Sequence, residues 1–244
     1  MYETDRLVAE YLLFHYGTPE DVMPWDFGPR DAVDFAARCG RELFDPAQLS
    51  PEARGLDIGC AVGRSSLEMA AVCAEVVGID FSHAFVAAAA RVATAGEAKI
   101  AVKEVGDITR DVQITPPAPL GHVYFEQGDA MNLRADLGAF DAVLAANLLC
   151  RLTEPRKFLA RLPDLVKPGG QLAITTPNTW LEEFTAKDYW LGATPETGEP
   201  LEAIRVELEP SFRLVETRDM PFLIREHRRK YQWSVAQASR WERL

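Results

Sequence analysis

The chemistry in this chain of 244 residues starts at one acid and the small residues after it: Asp57, then Gly59, Ala61 and Gly63. They lie within Arg54-Gly55-Leu56-Asp57-Ile58-Gly59-Cys60-Ala61-Val62-Gly63-Arg64-Ser65-Ser66. The apolar run at 56–58 predicts a strand, and a helix is expected from Ser65. Strand, tight turn and helix N-terminus together let backbone amides approach a ligand closely. The spacing departs from the dinucleotide pattern G-x-G-x-x-G, because Ala61 holds its second glycine position and Arg64 its third. Asp57 before the turn would repel a pyrophosphate and welcome an amino group. Further polar residues stand where later apolar runs stop: Asp80, with Phe81 and Ser82; Asp129, with Ala130; and Asn147 after Ala145-Ala146.

Positioning these residues requires a regular scaffold. Strands are predicted at 56–58, 76–79, 123–125, 142–145 and 171–175, with helices at 65–73, 83–94 and 155–166, the last accepting Pro155 early. Such alternation implies right-handed βαβ crossovers and a mostly parallel sheet, which binds ligands beyond the carboxyl ends of its strands. An amphipathic helix over 5–16 carries Val8, Tyr11, Leu12 and His15 on one face, and a second helix is expected over 31–44. A hairpin of 99–105 with 111–115 is expected before the prolines at 116–119. A helix is expected from Met131. The aromatic and acidic stretch 177–199 reads as a functional cover. Strand-like stretches close the chain at 213–217 and 231–235.

Composition sets the outer bounds. Lys and Arg number 26 against 37 Asp and Glu, a balance that disfavours a nucleic-acid partner. Cys39, Cys60, Cys73 and Cys150 form no C-x-x-C pair, so reduced cytosolic thiols are expected, with no disulfide frame and no metal site. No apolar run has membrane-spanning length, and the acidic start Met1-Tyr2-Glu3-Thr4-Asp5 does not read as a signal peptide. A cytoplasmic protein with no membrane partner is the expectation.

The strand ends taken together resemble the class I S-adenosylmethionine (SAM) methyltransferases over residues 54–176. That resemblance implies a Rossmann-like α/β fold: a seven-stranded, mostly parallel sheet, helices on both faces and an N-terminal helical lid. It implies SAM as cofactor and S-adenosylhomocysteine as product. Residues 1–244 are then a single domain, with 1–50 a helical extension, 54–176 the cofactor core and 177–244 the substrate insert and final strands. Asp57, Gly59, Ala61 and Gly63 would receive the methionine end. Asp80, with Phe81 and Ser82, would hold the ribose, the alternative being a structural acid or helix cap. Asp129 and Ala130 would meet the adenine, the alternative again being a cap. Asn147 reads as a contact to substrate or cofactor and as the candidate catalytic group, or as a structural amide. Arg38 would pair with the SAM carboxylate or form an ordinary salt bridge.

A narrower resemblance spans nearly the whole chain. It rests on Tyr2-Glu3, Glu10-Tyr11-Leu12-Leu13-Phe14-His15-Tyr16-Gly17, Arg38-Cys39, Ala145-Ala146-Asn147-Leu148, Thr179-Trp180-Leu181-Glu182-Glu183, Trp190-Leu191-Gly192, residues 220–226 and Arg229-Lys230-Tyr231-Gln232-Trp233. These are similar to the methyltransferase domain of ovothiol biosynthesis, the 5-thiohistidine N-methyltransferase, which is commonly fused to an iron-dependent sulfoxide synthase. The acceptor implied is 5-thiohistidine, with a functional link to such a synthase upstream. An amino-acid acceptor needs an Arg fork for its carboxylate and acids for its ammonium. Arg225, with Arg228 and Arg229, and Glu182, Glu183 and Glu226 are the candidates, with Tyr11, His15, Trp180 and Tyr231 as further substrate contacts. The competing readings are a solvated charged turn at 225–230, core packing for Trp180 and Trp190, and a core histidine for His15. Another small amino-acid, imidazole or thiol acceptor stays open, as does a SAM-binding module without turnover.

Overall fold

The computed structural model of the protein describes residues 4–118 and 121–244. Met1, Tyr2 and Glu3, part of the acidic start and of the narrower resemblance, lie outside the described residues, as does Pro119. Helix α1 (Asp5–Tyr16) begins on the Thr4 hydroxyl, which accepts the Leu7 N–H at 3.3 Å. Leu12 and His15 of the expected face are buried, and Val8 and Tyr11 are half-buried. After a short helix α2 (Pro19–Val22), the helix expected over 31–44 is cut to α3 (Phe35–Glu42). Asp34 adopts the left-handed φ of 58° there and separates α3 from a single 3-10 turn.

The central sheet has seven strands in the order β5-β2-β1-β6-β7-β9-β8. The parallel strands are β1 (Arg54–Ile58), β2 (Glu75–Asp80), β5 (His122–Gln127), β6 (Phe140–Ala146) and β7 (Val166–Thr176). Leu56 sits in register with Val77 on one side and Val143 on the other, and all three belong to one buried apolar cluster. Burial on both faces explains why β1, β2, β6 and β7 read as apolar runs, whereas β5 at the sheet edge is exposed or half-buried throughout. Helix α4 (Arg64–Met69) is shorter than expected. Helix α5 (His83–Ala95) is capped by Ser82, whose hydroxyl accepts the Phe85 N–H, and stops at Gly96 with φ 71°. Helices α6 (Pro155–Leu165) and α7 (Pro200–Leu208) each open on a proline that needs no N–H partner. Among the described residues, no helix is long and apolar enough to cross a membrane.

Three expectations change. Strands β8 (Phe212–His227) and β9 (Lys230–Arg243) form one long antiparallel hairpin, so 213–217 and 231–235 are only parts of it. Pro221 interrupts the apparent strand pattern, yet β8 is the edge of the sheet, where a missing N–H costs no ladder bond. The helix expected from Met131 is one 3-10 turn, Ala130–Asn132. The 177–199 segment is stitched into the core: Thr185 Oγ1 donates to Leu152 O at 2.6 Å, and Trp190 Nε1 donates to Thr185 O at 2.8 Å. The expected small hairpin forms as β3 (Ala98–Val105) and β4 (Ile108–Ile114), a separate sheet whose Ile100, Val102 and Val112 pack with Leu12 and Leu13 of α1. It braces α1 from outside.

Candidate active site

Past the end of β1 the chain makes a tight turn, with φ of 79° at Gly59, 48° at Ala61 and 87° at Gly63. A Cβ at Gly63 would come within 2.6 Å of the Phe125 ring, so glycine is required there for close packing. The amides of this turn are committed internally. Gly59 and Cys60 both donate to Ile79 O, at 2.8 and 3.0 Å, and Gly63 donates to Cys60 O at 2.9 Å. Ala61 N donates to Asp80 Oδ2 at 2.8 Å. These four residues therefore supply smallness and close approach, and their N–H groups do not face a ligand.

Asp57 lies behind the turn with no exposed surface. Its Oδ2 accepts from Ser65 Oγ at 2.6 Å and Ser66 Oγ at 2.7 Å, while Oδ1 is buried without a hydrogen-bond partner among the described residues. Burial raises its carboxyl to about 6, against the lowering effect of the two serine hydroxyls. Tyr16 of α1 reaches the same turn and donates to Val62 O at 2.8 Å.

The neighbouring strand ends are lashed together. Asp80 Oδ1 accepts the Ser82 N–H at 2.9 Å, Gly128 N donates to Asp80 O at 3.0 Å, and Gln127 Nε2 donates to Phe81 O at 3.1 Å. The Phe81 ring stands exposed at the rim. Asp129 Oδ1 accepts the Met131 N–H at 2.8 Å, and so caps the short turn. At the end of β6, Asn147 takes φ 51°. Its N–H donates to Thr175 O at 2.8 Å, and its Oδ1 accepts from Thr175 Oγ1 at 3.0 Å. The side-chain amide is thereby fixed through its Oδ1, and its Nδ2 makes no hydrogen bond among the described residues.

These ends open onto a cavity of about 510 Å³, lined by Gly59, Ala61, Asp80, Phe81, Asp129, Ala130 and Asn147. Helix α1 closes one side with Tyr11, Phe14 and His15, and Phe35 and Phe222 continue the aromatic wall. His15 is buried, its Nδ1 has no hydrogen-bond partner among the described residues, and burial lowers its imidazole to about 3, so it is neutral. Arg151 also lines this cavity, a residue the sequence reading missed. It falls four positions after Asn147, in the stretch that follows the β6 strand end.

Several predicted residues stand elsewhere. Gly63 and Ser82 belong to the wall behind the cavity. Arg38 donates to Pro221 O and Val33 O, so it ties α3 to β8 in place of meeting a carboxylate. Arg225 is buried away from the cavity, donating to Asp21 O at 2.5 Å and Glu104 Oε1 at 2.7 Å. It clamps β8 to the β3–β4 hairpin and is not a surface turn residue. Glu226 pairs with Lys230 at 2.7 Å, and Tyr231 Oη donates to Arg228 O at 2.8 Å. Glu182 and Glu183 are exposed outside the cavity. Trp180 is a core residue stacked on Trp190, with ring centroids 6.4 Å apart.

Residues 56–174 match the methyltransferase domain family. A SAM-dependent methyltransferase from Methanosarcina mazei superposes with a TM-score of 0.56 at 19% identity, covering 81% of this chain and 95% of that one. The N-methyltransferase NodS from Bradyrhizobium japonicum, solved with S-adenosyl-L-homocysteine, gives 0.53 at 16% identity, covering 94% and 98%. Among curated proteins, O-methyltransferase cnsE of Penicillium expansum is 30% identical over 120 residues, 49% of this chain and 36% of its own. Demethylmenaquinone methyltransferase of Clavibacter sepedonicus is 33% identical over 121 residues, 50% of this chain and 40% of its own. The chain spans about half or less of the length of these curated relatives.

The protein thus has the class I methyltransferase fold, and its residues 56–174 match a methyltransferase domain. NodS was solved with S-adenosyl-L-homocysteine, and the lining of the cavity here fits SAM on its own chemistry. Two carboxylates, Asp80 and Asp129, stand at adjacent strand ends as acceptors, and the backbone between them and Gly59 carries no bulk.

Proposed function

We propose that the protein transfers the methyl group of SAM to a ring nitrogen of 5-thiohistidine, the last step of ovothiol A synthesis. One observation carries this reading. Segments outside the cofactor core that bear the resemblance to the ovothiol methyltransferase meet at one cavity. Glu10–Gly17 supplies Tyr11, Phe14 and His15, and the 220–226 segment supplies Phe222 and Ile224.

In this reading Asp80 takes the ribose hydroxyls and Asp129 the adenine amino group, beside the Ala130 amide. Phe81 covers the rim, and Asp57 supplies negative charge behind the methionine ammonium. SAM supplies an electrophilic methyl on a sulfonium, and the acceptor nitrogen displaces it in line, so orientation carries most of the rate. An imidazole nitrogen near neutrality needs no strong base. The thiol sulfur on the same ring is the better nucleophile, so the pocket has to present nitrogen. Asn147, fixed by Thr175, offers its Nδ2 donors for that orientation. His15, held neutral, offers a hydrogen bond and no charge. The aromatic wall of Tyr11, Phe14, Phe35 and Phe222 favours a cationic sulfonium over water.

The acceptor presupposes a sulfoxide synthase upstream. A second reading, a hydroxylated aromatic acceptor, draws on the same apolar wall and on the O-methyltransferases among the relatives. Incubation with SAM and either 5-thiohistidine, histidine or a catechol, followed by mass spectrometry, separates the two. The proposed function predicts a methylated product from 5-thiohistidine alone. A methylated catechol with untouched 5-thiohistidine selects the second reading.

A further inference from the structure

Moving Arg225 and Arg38 out of the cavity leaves an amino-acid acceptor without its expected cation. Arg225 spends its guanidinium on Asp21 O and Glu104, and Arg38 on two carbonyls. Arg64, at the back of the glycine turn, is paired with Glu68 at 2.8 Å. Arg151 is different. It lines the cavity, its Nη1 is buried, and that atom has no hydrogen-bond partner among the described residues. The guanidinium lies over the Phe184 ring, with Cζ 4.5 Å from the centroid.

The surroundings fix this side chain without neutralising it. Arg151 closes the 3-10 turn Leu149–Arg151 that follows Asn147, with its N–H donating to Leu148 O at 2.8 Å. The 177–199 segment is bound to that same turn through Thr185 and Leu152 O. Phe184, next to Thr185, thus reaches the guanidinium and leaves Nη1 without a hydrogen-bond partner among the described residues. A stacked guanidinium keeps its N–H fork available and loses little freedom when an anion arrives. A buried N–H of a cation with no acceptor is costly unless a ligand supplies one.

We infer that Arg151 binds the α-carboxylate of the methyl acceptor and so sets which end of the amino acid enters the cavity. The inference rests on the proposed function and names a determinant of its specificity. A carboxylate matches the planar fork with two parallel hydrogen bonds, which a single thiolate sulfur does not. Arg151 and Asn147 leave the same strand end four residues apart. Anchoring the carboxylate at Arg151 therefore constrains the ring that Asn147 orients. The aromatic-acidic insert acts through Phe184 and not through Glu182 or Glu183.

The test crosses two enzymes with two acceptors: the parent and Arg151→Gln, each with 5-thiohistidine and with its decarboxylated amine. SAM affinity is measured by calorimetry alongside. The inference predicts a KM for 5-thiohistidine about 10- to 100-fold higher in Arg151→Gln, the size of a lost charge-assisted pair. It predicts a similar penalty for the decarboxylated amine with the parent, and no discrimination between the acceptors by the variant. SAM affinity stays unchanged, which also reports an intact fold, and Arg151→Lys recovers part of the loss. If Arg151→Gln still prefers the carboxylated acceptor as strongly as the parent, the inference is wrong. Weakened SAM binding with an unchanged acceptor KM assigns Arg151 to the cofactor and also overturns it. A parent that methylates neither acceptor contradicts the proposed function itself, and the inference falls with it.

Discussion

Asp80 Oδ2 accepts the backbone N–H of Ala61 at 2.8 Å, joining the end of β2 to the turn after β1. With Oδ1 on the Ser82 N–H, the same carboxylate holds both the glycine turn and the start of α5. Asp80→Ala is therefore expected to do two things at once. Losing two amide contacts should lower stability by about 1–3 kcal/mol, and losing the proposed ribose acceptor should weaken SAM binding about 10- to 100-fold. Thermal denaturation and calorimetry read the two separately. Unchanged SAM affinity would remove Asp80 from the ribose.

Arg225→Ala is expected to act on stability and not on the acceptor. The side chain is 1% exposed and paired with Glu104. Burial pushes the Glu104 carboxyl up, but the bonds and charges of Arg225 and Arg110 outweigh it and leave it below its ordinary range. Removing Arg225 should cost roughly 3 kcal/mol in urea denaturation at neutral pH, with acceptor KM held. A raised KM in a protein of parental stability would restore Arg225 to the substrate. Replacing Glu182 and Glu183 together by Gln should leave steady-state kinetics as they were, since both face solvent.

The pH dependence of stability should show two opposed slopes. Burial raises Asp57 to about 6, so its contribution is complete below its unfolded value near 4 and is lost as pH rises through about 6. Burial lowers His15 to about 3, so its contribution is complete above about 6.5 and is lost as pH falls. Between about pH 4 and 6 the two largely cancel. Asp57→Asn removes the falling limb. Stability of that variant should then rise with pH more steeply than the parent, by about 1.4 kcal/mol per pH unit over that window. Equal slopes in urea titrations of the two proteins would contradict the buried, protonating Asp57.

Gly63→Ala should be the most damaging single methyl in the turn. It combines a φ of 87° with a Cβ 2.6 Å from Phe125 and 3.0 Å from the Ala89 Cβ. A loss of roughly 2–4 kcal/mol is expected, measured by chemical denaturation. Ala61→Gly, at a position already left-handed, should stay within about 1 kcal/mol of the parent.

Strands β1, β2, β6 and β7 were legible because burial on both sheet faces makes each a short apolar run between small-residue turns, while β5, an exposed edge, was legible only from its β-prone Val123-Tyr124-Phe125. Asp80 and Asn147 were legible for the same reason, each being the first polar group after such a run, and Asp129 was legible as the acid in the small-residue turn Gly128-Asp129-Ala130. What escaped depends on the third dimension. The 225–230 run reads as a substrate clamp or a solvated turn because charge is all that sequence shows. Only the docking of the β3–β4 hairpin buries Arg225 and turns it into a clamp. Trp180 read as a pocket candidate, but the insert folds back so that it completes the core. Arg151 carried no local pattern, since its isolation inside the cavity depends on Phe184, distant in sequence, covering one face.

The most direct measurement of the central claim is NMR of the product formed from SAM labelled with carbon-13 on the transferred methyl and from 5-thiohistidine. The account predicts one labelled methyl, bonded to a ring nitrogen, in a product that keeps its free thiol. A methyl on sulfur, or bound SAM with no labelled thiohistidine at any time, would contradict it.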